Sequence, residues 1–147
     1  MSGRREPWLI AGGLLSAAAA ILHLAVIVGG PDWYRFVGAG EEMAQAAERG
    51  SPAPALITVG IATVLAIWAA YAFAGAGLIR RLPLMRVALV VISAIYLIRG
   101  LVLVPLIARG ATVDAFTLWS SLIVLVYGTA YAIGTYRVWP ALGRSPP

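Results

Sequence analysis

Four continuous apolar runs decide what this chain can fold into. They cover Trp8 to Val28, Ala53 to Ile79, Leu84 to Ile107 and Ala115 to Val138. Each is long enough for a helix, rising about 1.5 Å per residue, to cross a hydrocarbon core of about 30 Å. Inside hydrocarbon every backbone N–H and C=O must find an internal partner, so only helices or closed barrels cross. The apolar residues are continuous rather than alternating, which selects helices over barrel strands. The expected fold is all-α: a polytopic membrane protein with four transmembrane helices in an antiparallel bundle. It forms a single integral membrane domain over residues 1–147. An outer loop at 29–52, partly helical, joins the first two spans.

Composition agrees. The chain is 61% hydrophobic and 12% charged, whereas soluble domains run near half apolar and a quarter charged. The net charge of +5 comes from 11 basic residues, all arginine. They are scattered at the ends of the apolar runs and form no patch, which argues against nucleic acid and for contact with anionic lipid. The absence of cysteine excludes disulfides, thiol nucleophiles and thiolate metal sites. A single histidine excludes multi-histidine metal centres, so neither a metal nor a cofactor is expected.

The run boundaries carry helix punctuation. Pro7 suits a first turn, and Gly29-Gly30-Pro31 ends the first helix. Ser51-Pro52 reads as N-cap and first position of the second, and Pro83 opens the third. Thr112 or Asp114 can cap the fourth, and Pro105 should kink the outer end of the third. Residues 140–147 read as a disordered tail. The alanines at 17–20 look cleavable, but the apolar stretch continues to Val28, too far for a signal-peptide core, so a retained helix is expected.

Arginine counting orients the chain. With the N-terminus inside, Arg4, Arg5, Arg80, Arg81, Arg86, Arg137 and Arg144 lie inside, against Arg35, Arg49 and Arg109 outside. Both termini are then cytoplasmic. Trp8, Tyr136 and Trp139 mark the inner interface, and Trp33, Tyr34 and Trp119 the outer one. In the outer loop, Pro31 to Val37 and Glu41 to Glu48 are expected to form short helices broken by Gly38-Ala39-Gly40. Glu41, Gln45, Glu48 and Arg49 share one arc of the second, opposite Met43, Ala44, Ala46 and Ala47, as in a segment lying on the bundle. Small residues at four-residue spacing, Gly12, Ser16 and Ala20 and again Ala62, Ala66 and Ala70, permit close helix contact.

Two ionisable residues lie within spans and need partners: His23 and Arg99. From the helix centres they sit roughly 7 Å and 5 Å toward the outer side, in one layer that also meets Ser121 and Thr63. Tyr96 precedes Arg99 by one turn, and Tyr127 and Tyr131 share a face of the fourth helix. No span contains an acid. The expected partner for Arg99 is therefore a loop carboxylate, Glu41 or Glu42 ahead of Asp32, with the loop folded back as a lid. The candidate ligand-binding set is His23, Arg99, Tyr96, Glu41, Glu42, Asp32, Trp33 and Tyr127.

The favoured function is a binding or accessory membrane protein with an outer-leaflet pocket for a hydrophobic, lipid-like or anionic ligand. A small oligomeric transporter or channel for an anionic or lipophilic solute is the second reading. A membrane enzyme using His23 as acid or base is the third, and no paired catalytic motif accompanies that histidine. Expected partners are membrane lipids and a homo-oligomer or larger membrane complex, with no nucleic acid.

The stretch from His23 through Gly29-Gly30-Pro31-Asp32-Trp33-Tyr34-Arg35-Phe36 to Glu41 and Met43 resembles small bacterial four-helix inner-membrane proteins of unknown function. The resemblance covers most of the chain. It implies the four-span architecture in a bacterial inner membrane, and it brings no assigned activity or site. The first span lacks the acid that small multidrug exporters need there. Cysteine-dependent quinone oxidoreductases are excluded by the missing thiols.

Overall fold

A computed structural model of the chain describes residues 5–143. Every regular element among them is helical: α1 (Pro7–Gly29), α2 (Pro31–Phe36), α3 (Glu41–Glu48), α4 (Ala53–Gly75), α5 (Met85–Leu101), α6 (Leu103–Ala108) and α7 (Ala115–Leu142). Four spans, Pro7–Gly29, Ala53–Gly75, Met85–Ala108 and Ala115–Leu142, are long and apolar enough to cross a membrane. Only 22% to 33% of each span's most apolar window is covered by protein, which leaves most of the apolar surface for lipid. The chain is thus an all-α, multi-pass membrane protein.

Helix ends follow backbone chemistry more closely than hydropathy. The second span stops at Gly75, short of the expected Ile79. Gly77 adopts φ 77°, and the amides of Gly77 and Leu78 bond back to the carbonyls of Ala74 and Phe73, at 3.1 and 2.9 Å. That is a Schellman closure, with Gly77 in the left-handed position that ends the helix. The same pair of bonds closes α2, α3 and α6 at Gly38, Gly50 and Gly110. Leu78 and Ile79 are apolar, so a hydropathy reading runs past the stop.

Proline acts as expected in the third span. α5 ends at Leu101, the residue whose carbonyl the Pro105 ring would strike and whose bond Pro105 cannot donate. The span resumes as α6. Met85, not Pro83 or Leu84, starts α5, because Leu84 takes a left-handed conformation (φ 54°, ψ 30°). Asp114 caps α7, accepting from the Thr117 amide at 2.9 Å and the Thr117 hydroxyl at 2.6 Å. These bonds hold the Asp114 carboxyl below its usual range.

The fourth helix corrects the expected tail: it continues through Pro140 to Leu142. The last turn of a helix leaves carbonyls without intrahelical donors. Arg81 donates to the Ala141 carbonyl at 2.7 Å and Arg86 to that of Trp139 at 3.2 Å, which fills this need. Residues 144–147 of the expected tail lie outside the described residues.

The chain divides into two compact units, 1–15 with 68–147, and 16–67. In the first, α5 and α7 pack antiparallel at very short range. A Cβ on Gly100 would lie 2.8 Å from the Leu125 backbone, and one on Gly128 2.8 Å from the Leu97 amide nitrogen. Gly134 likewise admits Leu9, and Gly12 admits the Tyr131 ring. Lipid supplies no hydrophobic drive between helices, so this close backbone approach carries the association. Leu9, Leu89 and Tyr131, all fully buried, are part of the core. Around Tyr131, the Tyr96 ring meets Trp68 edge-on at 4.9 Å and Tyr127 at 5.4 Å.

In the second unit, Val26, Tyr34 and Ala44 form a small core, with Val37, Met43 and Ala47 against it. The amphipathic reading of α3 holds: Ala44 is buried while Glu41, Gln45, Glu48 and Arg49 face out. Tyr34 does not belong to an interfacial belt. It is 2% exposed, and its hydroxyl lies 3.4 Å from that of Thr58, whose own hydrogen goes to the Pro54 carbonyl at 2.7 Å. The small-residue stripe of α4 also shifts. Ala66 is exposed, and the buried line is Ala62, Leu65, Ala69 and Ala72, at alternating three- and four-residue steps.

Candidate functional site

Arg99 sits in the last turn of α5, three residues beyond the buried Tyr96. Its guanidinium donates to the Ser121 hydroxyl at 2.9 Å and to the Ser120 hydroxyl at 3.4 Å, both on the facing stretch of α7. Ser121 is fully buried. Ser120 passes its own hydrogen to the Thr117 carbonyl at 3.3 Å, and Thr117 is held by Asp114. A ledge of hydroxyls therefore runs from the α7 cap to the arginine. Among the described residues, Arg99 makes no ion pair.

Two of the three expected acid partners, Glu41 and Asp32, are engaged elsewhere. Glu41 accepts two bonds from Arg35, at 2.9 Å from Nε and 2.8 Å from the terminal nitrogen. Glu48 accepts from the same arginine at 2.7 Å, and Asp32 at 3.4 Å. Arg35 thus clasps α2 to α3. The pairing of a loop carboxylate with Arg99 is replaced, for Glu41, by a local pair six residues away, which costs far less chain entropy to form. Glu42 is exposed in the first turn of α3.

The clasp is half-exposed, so its energy is modest and its value is geometric: a bidentate fork fixes two short helices in one arrangement. Arg35 holds the Glu41 carboxyl below its ordinary range, and the Glu41 bond raises the guanidinium in turn. A depressed carboxyl contributes stability above its unfolded pKa, near 4.3, and loses it as pH falls further. Amide protection across residues 31–48 is expected to hold above about pH 5 and to drop below about pH 4. Glu41→Gln should flatten that drop, and hydrogen exchange at several pH values measures it.

The other candidates fall into packing roles or surface positions. His23 is half-buried, and its Nδ1 lies 2.7 Å from the Ala19 carbonyl. A carbonyl only accepts, so Nδ1 carries the proton and Nε2 is the ring's remaining polar atom. Thr63, expected in the same layer, bonds its own helix at Val59. Tyr96 and Tyr127 are part of the aromatic core. Trp33 packs its ring on Gly29, where a Cβ would overlap it, and Asp32 is almost wholly exposed.

Sequence reasoning reached Arg99 and Ser121 by matching depths along two helices. It missed Ser120 and the Arg35 clasp. The three-residue step from Asp32 to Arg35, an ordinary helical pair spacing, signals the 3.4 Å contact within α2 but not the bonds to α3. No family model, curated protein or solved structure matches the chain.

Proposed function

We propose that the chain is a binding or accessory protein of a bacterial inner membrane, with both termini cytoplasmic. Arg99 seats the anionic group of a hydrophobic or lipid-like ligand in the outer half of the bilayer. One observation carries this reading: among the described residues, a permanently charged guanidinium in a membrane-length span is met by neutral hydroxyls only. A guanidinium offers five N–H donors and does not deprotonate. Charge in hydrocarbon is costly unless an anion answers it, so a site of this kind favours an anionic guest. Apolar walls with a few convergent polar groups suit an amphiphile better than a small polar solute. The arginine bias orients the termini, and the resemblance of the first-loop stretch supports the bacterial membrane.

The test is mass analysis of molecules retained by the full chain extracted into native-membrane discs. Wild type should carry an anionic amphiphile. Arg99→Gln should lose at least about tenfold of it, matching the roughly 1.5–3 kcal/mol of a charged hydrogen bond, with Arg99→Lys between the two. Equal retention by Arg99→Gln would sink the proposal.

A further inference from the structure

At the opposite end of α5 lies an open cavity of about 450 Å³ lined by Arg81, Leu82, Pro83, Leu84, Met85, Arg86, Val87 and Leu142. We infer that this cavity is a second binding site, which seats the headgroup of an anionic glycerophospholipid.

Three features of the cavity fit that guest. The first is charge. Arg80, Arg81 and Arg86 bring three positive charges to a seven-residue stretch, and the sequence carries no acid between residue 49 and Asp114. The second is preorganisation. The Arg86 guanidinium stacks over the Trp139 ring at 4.8 Å and donates to the Trp139 carbonyl at 3.2 Å. That bond uses one of its five donors while the stacking fixes the plane of the fork, the geometry that reads a phosphate in two bonds. Arg81 donates to the Ala141 carbonyl at 2.7 Å.

The third is an apolar exit. Leu84 and Val87 are 75% and 59% exposed beside the arginines, and Trp139 and Tyr136 are exposed on the nearby turn of α7. Aromatic and arginine side chains at the end of a span mark the headgroup level of a bilayer. Basic pockets at that level bind anionic headgroups, whose acyl chains then lie along the apolar helix faces. A soluble anion would gain nothing from Leu84 and Val87, which commits the cavity to a lipid. The cavity is distinct from the Arg99 ledge, though both rest on the membrane reading of the chain.

The experiment begins with carbonate washing of membranes holding the full-length protein. Purified protein is then mixed with equal amounts of phosphatidylglycerol and phosphatidylcholine, and bound lipid is counted by native mass spectrometry. Wild type should prefer phosphatidylglycerol, and Arg81→Gln and Arg86→Gln should each lower that preference about fivefold. Arg109→Gln should leave it unchanged.

Arg86 also supports the end of α7, so a second pair guards against misfolding. Leu84→Asn and Leu84→Asp both suit a left-handed backbone. The preference should fall much further in the charged variant than in the neutral one, which differs from it only by the charge. Equal binding of the two lipids by wild type overturns the site, as does an equal loss in Arg109→Gln or displacement of the lipid by excess inorganic phosphate. Protein released by the carbonate wash would instead overturn the membrane reading, and with it both sites.

Discussion

Valine at Gly100 or Gly128 is expected to destabilise the fold by roughly 1–3 kcal/mol or more, a large share of the about 5–15 kcal/mol that holds a typical domain folded. Alanine should already be harmful. The reason is the identity of the colliding atoms. At Gly100 a Cβ meets the Leu125 main chain, and at Gly128 it meets the Leu97 amide nitrogen, each at 2.8 Å. Side chains can turn aside, but a helix backbone can yield only by moving the whole helix. α5 and α7 would have to separate, and the loss would spread to the Arg99 bonds to Ser120 and Ser121.

Gly60 supplies the contrast. It lies inside α4 with nothing within 4 Å of a built Cβ. Gly60→Ala should therefore stabilise the protein by about 0.5–1 kcal/mol through helix propensity and the unfolded chain. The same substitution should have opposite signs at positions the sequence does not tell apart. Thermal unfolding in one detergent measures all the variants, and a harmless Gly100→Val would refute the close-packing account.

Tyr34→Ala should open the α2–α3 hairpin. These helices have six and eight residues, too short to persist without tertiary support. Their support is the packing of Tyr34, 2% exposed, with Val26 and Ala44. Removing a buried aromatic ring of this kind costs about 3–5 kcal/mol. Hydrogen exchange across residues 31–48 should accelerate by about a hundredfold or more, while α5 and α7 keep their protection. Phe36→Ala is the matched control. That ring is 83% exposed, so its loss should leave exchange unchanged. Unaltered exchange in Tyr34→Ala would mean that the Arg35 clasp alone holds the hairpin.

The α2–α3 region shows how far local information reaches. Gly30, Gly38 and Gly40, all at positive φ, bound the two short helices where glycine and proline placed them. The inward face of α3 also followed from its sequence. The partner of Glu41 did not, because Arg35 and Arg99 are both plausible cations for it. Only the fold shows that a neighbour six residues away takes both carboxylate oxygens. Arg99 was legible as a costly charge within a span. Its depth pointed correctly to Ser121, since rise per residue converts position into height along a straight helix.

What the sequence determined by itself is the part governed by the solvent and by the chain's nearest neighbours. Four apolar runs require four membrane-length helices, because lipid leaves backbone groups no other partner. Proline and glycine set where they bend and stop, because both act on φ and on one or two hydrogen bonds. What only the tertiary structure decided is which faces meet. Exposed and buried positions of these spans are equally apolar, so Ala66 and Ala69 look alike in sequence, yet one is exposed and the other buried. In a membrane the hydrophobic pattern no longer marks the interior. The contact faces are set instead by backbone clearance at Gly100, Gly128 and Gly134, a property of pairs of helices that no single stretch of chain contains.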